Sequence, residues 1–443
     1  MNIKTDSRKV LKGDIFVALK NYNDGHKYIK DAINKGASKI VIEYGNYDIP
    51  TIKVKDTKKY LINYLKKNYY NQIKNIKLIG ITGTNGKTTT AFLLYQALNL
   101  VNIKCAFIGT IGFYIEDKIK ALENTTPDIL ELYELILEAK KHNCQYIVME
   151  VSSHALDQRR IEGLKFDIAI FTNLTEEHLD YHKNMDNYAL TKQKLFNKVK
   201  EKGYTIVNID DKYKEYFLKN NSITYGFNKS DNQIVSYKLN NLKTEFIINN
   251  EKYITNLIGK YNIYNLTVVI IILKILKIKN IKEIIYQLKL PIGRMEKINY
   301  KNNLIIIDYA HTPDAVKKIL LAIKEIKINK IYTIIGCGGQ YDKYKRPLIG
   351  KIVTDLADYV IFTSDNPRYE NPYQIVADII QKLDRNNYEI IINRKKAIEK
   401  GIQKLLKNDI LLILGKGHEN FQVIKDKKIL FNDKEIVINI IRR

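Results

Sequence analysis

The chain has 443 residues, 45% of them hydrophobic, which is enough for roughly three domains with real cores. Its formal net charge of +25 comes with abundant Lys, Ile, Asn and Tyr along the whole length, including 32 Tyr and no Trp. AT-rich codons encode all four residues, so base composition explains the charge. No lysine cluster with the aromatic and glycine motifs of an RNA-binding module argues for a nucleic-acid partner.

No long apolar run appears, so no membrane span is expected. The opening MNIKTDSRKVLKGDIFVAL lacks the charged-then-apolar order of a secretory signal. Cys105, Cys144 and Cys337 are odd in number and far apart. They fit neither a disulfide framework nor a zinc site, so a reducing cytoplasm is expected.

In chain order, DIFVAL (14–19) and KIVIEY (39–44) read as strands flanking a helix at 28–37. The Lys- and Asn-rich stretch near 66–75 reads as a boundary, giving a first domain over 1–74. Residues 75–295 form a second domain. There the apolar runs 76–82, 146–151, 166–173 and 204–210 read as buried strands separated by helices, which argues βαβ units and a mostly parallel sheet. Short strands follow at 232–258, then a helix. Residues 296–443 begin another α/β series, with strands at 304–310, 331–337, 359–365, 388–394 and 409–417. In such sheets ligands bind beyond the carboxyl ends of the strands, and the unusual residues sit there.

GITGTNGKTTTAFLL (80–94) follows a strand and opens a helix. A strict P-loop has glycine where this chain has Ile81. The physical requirements are nonetheless met. Gly83 and Gly86 let backbone amides approach phosphate, the helix start presents free N–H groups, Lys87 supplies charge and Thr88 a hydroxyl for Mg²⁺. In MEVSSHALDQRR (149–160), Glu150 ends a buried strand; a metal or a local ion pair would explain it. His178 in FTNLTEEHLDYH (171–182) lies just past another strand. Lys192, in the helix-like 185–196, reads as an ordinary surface lysine. IDYAHTPDAV (307–316), GCGGQYDKYKRP (336–347), TSDNPRYENP (363–372) and LGKGHE (414–419) are four strand-end loops that read as one pocket.

This set of motifs, in this order and over nearly the whole chain, resembles the Mur ligase family, which uses TGTNGKT in place of the strict P-loop. The resemblance implies three domains: a UDP-substrate-binding domain, a P-loop ATPase with a mostly parallel sheet, and a Rossmann-like domain that receives the amino acid. It implies ATP-dependent amide bond formation through an acyl phosphate. meso-2,6-Diaminopimelate would be added to UDP-N-acetylmuramoyl-L-alanyl-D-glutamate in cytoplasmic peptidoglycan precursor synthesis, by a monomer. Gly83, Thr84, Asn85, Gly86, Lys87, Thr88, Thr89, Asn262, Asn265, Arg294 and Asp308 would hold ATP, with Tyr261 replacing the usual Phe of the FNxxN motif. Thr88, Glu150, His178 and Lys192, the last as a CO₂-derived carbamate, would hold Mg²⁺, and His311 would lie near the phosphates.

Ser7, Thr125, Thr126, Ser152, Gln158 and Arg160 match the UDP-substrate positions. Arg346, Asp365, Asn366, Arg368, Gly415 and Glu419 match the amino-acid positions. Arg368 in DNPR favours diaminopimelate, whose second carboxylate a guanidinium can pair, over L-lysine. A lysine-adding ligase and a folylpolyglutamate-synthetase-like ligase are the alternatives. The DSR…DGH unit and DNPR argue against the second. The sequence also departs from the family at Glu177, usually Asp, and at Asn21 or Tyr22, where a glycine usually precedes Asp24.

Overall fold

The structure, a computed structural model, describes residues 2–20, 24–240, 243–340 and 342–442. Asn21 and Tyr22, and Tyr341 in the glycine-rich loop, lie outside the described residues.

Three sheets organise the chain. The first has four short parallel strands, Ile3–Lys4, Ile15–Val17, Lys39–Ile42 and Thr51–Lys53, in sequential order. The Lys- and Asn-rich stretch near 66–75 holds the end of a long helix, Thr57–Ile73. Asp56 caps it, accepting a hydrogen bond from Lys59 N at 2.7 Å, and Leu61, Ile62, Leu65 and Ile73 are buried along it. Apolar side chains three and four residues apart make that stripe, and its burial outweighs the high Lys and Asn content.

The second sheet has eleven strands. Lys77–Thr82 sits at its centre, paired in parallel with Tyr146–Glu150 on one side and Phe166–Phe171 on the other. Both neighbours follow it in the sequence, and the chain crosses the central strand in passing from Tyr146–Glu150 to Phe166–Phe171, so a crevice opens at the carboxyl end of the central strand. Successive residues alternate between two cores. Leu78 packs with Met149 and Ala169, whereas Ile79 and Ile81 pack with Val148 and Ile168 on the opposite face. Both faces are covered, so these strands read as continuous apolar runs. The antiparallel additions Gly112–Ile115 and Asp117–Lys120 were not anticipated from the sequence. Both have only four residues, and Asp117–Lys120 is exposed and mostly charged, which leaves little apolar signal.

The third sheet, of six strands, has the order Glu296–Tyr300, Asn303–Asp308, Ile410–Leu414, Ile331–Ile335, Tyr359–Phe362 and Tyr388–Ile390. All its pairings are parallel except the first. The carboxyl ends of the four middle strands are adjacent, so the loops after residues 308, 335, 362 and 414 converge. A hairpin, Phe421–Ile424 with Lys427–Leu430, caps them, and Arg368 bridges to it at Ile424. Among the described residues no helix is long and apolar enough to cross a membrane.

Candidate active site

The central strand runs into Gly83 (φ 145°) and Gly86 (φ 86°), and the helix Lys87–Leu100 starts at once. A Cβ on Gly83 would collide with the Thr172 hydroxyl, and one on Gly86 would stand 2.8 Å from Asn265 Oδ1. Glycine is therefore required at both positions by backbone conformation and by close approach. The next strand's exit clamps the loop. Asn173 O accepts from Thr84 N at 2.7 Å, Asn173 Oδ1 accepts from Asn85 N at 3.0 Å, and Thr172 Oγ1 donates to Asn85 O at 2.7 Å. Thr172 and Asn173 lie in FTNLTEEHLDYH (171–182) but carry no role there, and only the sheet order places them here. Asn265 lies under the loop, accepting from Thr90 Oγ1 at 2.9 Å and donating to Asn262 Oδ1 at 3.1 Å. Thr89 follows in the first helical turn and is buried.

Glu150 is fully buried, but not in the ion pair that was one alternative. It accepts from Thr88 Oγ1 at 2.8 Å, from Thr110 N at 2.7 Å and from Thr110 Oγ1 at 3.3 Å. Lys192 corrects the expectation of a surface lysine, because it is 1% exposed. Its Nζ donates to Gly83 O at 2.8 Å and lies 4.5 Å from the centre of the Tyr188 ring. Lys87 donates to the same carbonyl at 2.9 Å and to Thr84 O at 2.7 Å. Two amines thus share one acceptor. Burial, then the proximity of Lys87, pushes the Lys192 amine well below the usual lysine range.

His178 adopts φ 56° and begins the short helix Leu179–His182. Its Nε2 is 3.8 Å from Glu177 Oε2, and His311 Nε2 is 3.8 Å from Glu177 Oε1. Glu177 was visible in the sequence only as a substitution, yet it stands between the second and third sheets among four basic groups. Burial would raise its carboxyl. His178, Lys87, His311 and Lys192 outweigh that effect and hold it below the usual range. Burial holds His311 down at about 4, so it is neutral at pH 7.

No cluster of three or more His, Cys, Asp or Glu able to cage a metal occurs among the described residues. Mg²⁺ does not require one, since it takes one or two carboxylates together with water and phosphate oxygens. Thr88 and Glu150 at the loop end are such a donor set.

From the third sheet, Asp308 accepts from Met295 N and Ala310 N, both at 2.7 Å. The Arg294 guanidinium stacks 4.7 Å from the centre of the Tyr309 ring. Its Nε is buried with no hydrogen-bond partner among the described residues, as expected of a group that meets a ligand. Asp314, in the helix Pro313–Lys324, accepts from Asn85 Nδ2 at 2.7 Å and so ties the third sheet's layer to the glycine loop.

A second network leads away from Glu150. Thr110 Oγ1 meets Thr125 Oγ1 at 3.0 Å. Thr126 Oγ1 donates to Glu150 O at 2.8 Å and accepts from Ser152 N at 3.1 Å. Arg160 donates to Thr126 O at 2.9 Å and to Gln158 Oε1 at 2.7 Å. Five of the six positions matched to the UDP-substrate are thus joined, while Ser7 stands apart in a turn beside the first sheet.

In the third sheet's loop cluster, Asn366 donates to Glu419 Oε2 at 2.8 Å. Arg368 donates to Gly339 O at 3.0 Å. Gly415 has φ 110°, and a Cβ there would stand 2.7 Å from Asp365 Oδ2. Arg346 does not join them as a free contact. It is fully buried, with Nη1 donating to Glu370 at 2.9 Å and to Asp378 at 2.7 Å, and Nη2 donating to Gly338 O at 3.2 Å. Its charge is already matched twice, so it pins the glycine-rich loop.

The arrangement can hold a nucleotide's phosphates at the loop, and Arg368 and Glu419 offer a cation and an anion in the third sheet's loop cluster. The Mur ligase middle domain matches residues 81–273, and the Mur ligase glutamate ligase domain matches residues 293–417. The UDP-N-acetylmuramoyl-L-alanyl-D-glutamate–2,6-diaminopimelate ligase of Clostridium perfringens is 41% identical, over 99% of this chain and 94% of that protein. That of Fusobacterium nucleatum is 39% identical, over 98% and 92%. A solved structure of a ligase of the same name superposes with TM-score 0.70 at 31% identity, covering 99% of this chain and 94% of that one. The MurF ligase from Thermotoga maritima in complex with ADP shares the fold, with TM-score 0.70 at 17% identity over 99% and 96% of the two chains. Two domains matched in order, and relatives alike from end to end, show that the chain belongs to the Mur ligase family of ATP-dependent ligases.

Proposed function

We propose that the protein joins meso-2,6-diaminopimelate to the D-glutamyl carboxylate of UDP-N-acetylmuramoyl-L-alanyl-D-glutamate, as the relatives' names describe, in cytoplasmic peptidoglycan precursor synthesis. The three sheets support a division into UDP-substrate (1–74), ATP (75–295) and amino-acid (296–443) domains, and in this reading the enzyme acts as a monomer. The observation that carries the reading is the meeting of the Gly83–Thr88 loop, Glu150 and Glu177 with the Arg294, Asp308 and His311 cluster across two sheets.

In this reading Gly83 to Thr89, with Asn262, Asn265, Arg294 and Asp308, hold ATP. The γ-phosphoryl group passes to the substrate carboxylate, and the amine then displaces phosphate. Thr88, Glu150 and His178 would hold Mg²⁺, which neutralises charge on the phosphates. The chain's own groups do the positioning. Lys87 leaves the loop carbonyls for phosphate, and His311, being neutral, orients rather than adds charge. Lys192 supports a carbamate. A buried amine is nucleophilic when neutral, so it attacks CO₂, loses a proton and becomes an anion. That would relieve the crowding of two amines on Gly83 O. Thr125, Thr126, Ser152, Gln158 and Arg160, with Ser7, form the UDP-substrate side. Arg368, Asn366, Asp365, Gly415 and Glu419 form the amino-acid side, with Arg346 as support.

Phosphate release from ATP is the test, run with UDP-N-acetylmuramoyl-L-alanyl-D-glutamate, Mg²⁺ and bicarbonate, with either diaminopimelate or L-lysine, and with products identified by mass. Turnover with diaminopimelate alone is expected. Turnover with lysine alone would keep the ligase and remove the role given to Arg368. Turnover with neither, in folded protein, would sink the reading.

A further inference from the structure

Lys416 belongs to none of the site roles assigned above, yet it is fully buried in the amino-acid cluster. Its Nζ donates to Asn366 Oδ1 at 3.1 Å, to Glu419 Oε2 at 2.9 Å and to Phe421 O at 2.7 Å, and lies 3.7 Å from Asp365 Oδ1. An ammonium has three hydrogens to donate, and three acceptors take them. Isolated charge is not left in a protein interior without partners, so this constellation is held together or not at all.

The consequences fall on two neighbours. Asn366 Oδ1 also accepts from Val423 N at 2.9 Å, so the amide's oxygen is fixed by two donors and cannot exchange places with its nitrogen. The Nδ2 side is then turned toward Glu419. One of its hydrogens goes to Glu419 Oε2, which leaves the second for a ligand carboxylate. Glu419 is fixed in the same way, because Lys416 and Asn366 both bind its Oε2. Its Oε1 is left as the acceptor for an ammonium. A donor for carboxylate and an acceptor for ammonium, locked side by side, match a terminal amino-acid zwitterion. A simple alkylammonium would use only one of the two.

We propose that Lys416 is a positioning residue that sets the choice of amino acid, by fixing Asn366 and Glu419 to receive the distal zwitterion of a diamino diacid. Lys416 touches no substrate itself. The inference rests on the ligase reading above and adds to Arg368 a second source of the discrimination. Without the ammonium, Asn366 is free to flip, and Glu419 loses the partner that orders it.

The test is steady-state kinetics of the full chain as wild type, Lys416→Met and Lys416→Arg, with KM measured separately for ATP, the UDP-substrate and diaminopimelate. Loss of one charge-assisted hydrogen bond corresponds to about tenfold or more in binding. The Met variant should therefore raise KM for diaminopimelate by at least about tenfold, with the other two KM values within about twofold. Its preference for diaminopimelate over L-lysine should shrink by a similar factor, and the Arg variant should recover part of the loss. A purely structural role would move all three KM values together or lower only kcat, and either result overturns the inference. So does an unchanged KM for diaminopimelate. If Lys416→Met does not fold, Lys416→Gln, which keeps a neutral donor in the cluster, takes its place, and the same split in KM is expected. If neither folds, Lys416 is a structural lysine and the inference falls. Wild-type enzyme without turnover sinks the ligase reading. Wild-type turnover with an unmoved KM in the variant sinks this inference alone.

Discussion

Replacing Arg346 by methionine separates a structural from a substrate-binding arginine. The guanidinium makes three hydrogen bonds, two of them to carboxylates that are 17% and 27% exposed. Removing one partner of a buried ion pair costs about 3–5 kcal/mol. Water can reach Glu370 and Asp378 once they are uncovered, so the lower end, about 3 kcal/mol, applies. For a cooperative unit of about 150 residues, each kcal/mol moves the midpoint by about 2–4 °C, so Tm should fall by about 6–12 °C. The Arg346→Lys variant keeps one point charge and should recover only part of this. Circular dichroism melts at neutral pH give the shift, and KM for the amino acid measured well below Tm gives the second readout. The pair also predicts a pH dependence. Hydrogen bonding to Arg346 holds the Glu370 carboxyl at about 2, below its usual 4.5. The stability it contributes is therefore present above about pH 4.5 and is lost as pH falls toward 2, so wild type and variant should converge in acid. An unchanged Tm with a raised KM for the amino acid would refute the pinning role and restore Arg346 as a substrate contact.

Further outcomes are expected elsewhere. Thr88→Val removes the hydroxyl that binds Glu150 and should lower kcat by about 10–100-fold, whereas Thr88→Ser should retain most of it; equal kcat in both variants would contradict the metal role. Asp314→Ala breaks the 2.7 Å bond to Asn85 and, at about 1 kcal/mol, should raise KM for ATP by about fivefold and expand the molecule in solution scattering. Unchanged scattering and KM would show that this contact does not hold the two layers together. Burial keeps His154, His182, His311 and His418 at about 4, so each stays neutral in the folded chain while its unfolded counterpart takes up a proton near 6.5. Their contribution is full above about pH 6.5 and is lost as pH falls to about 4, so Tm should be flat above that window and decline within it. A Tm independent of pH across that window would be inconsistent with four imidazoles held neutral.

Local chemistry made much of this chain legible. Strands buried on both faces appear as unbroken apolar runs, and strand-end motifs such as TGTNGKT and DNPR carry their chemistry in a few adjacent residues. Glycines 83 and 86 could be read from their place between strand and helix, because a tight phosphate-binding turn demands them. The sequence alone therefore determined the α/β class, the loop and the family resemblance. Only tertiary structure could decide which side chains stand inside. Lys192 looks like a surface lysine on its own helix and becomes buried because Gly83 and Tyr188 close over it. Arg346 and Lys416 look equally free in sequence. One is paired with carboxylates from a loop and a helix, the other with Asn366, Glu419 and a hairpin carbonyl. Burial and ion pairing are sums over neighbours distant in the chain, so no local pattern encodes them. Strand order likewise set Thr172, Asn173 and Glu177 against the glycine loop, because parallel neighbours are chosen by packing across the whole sheet.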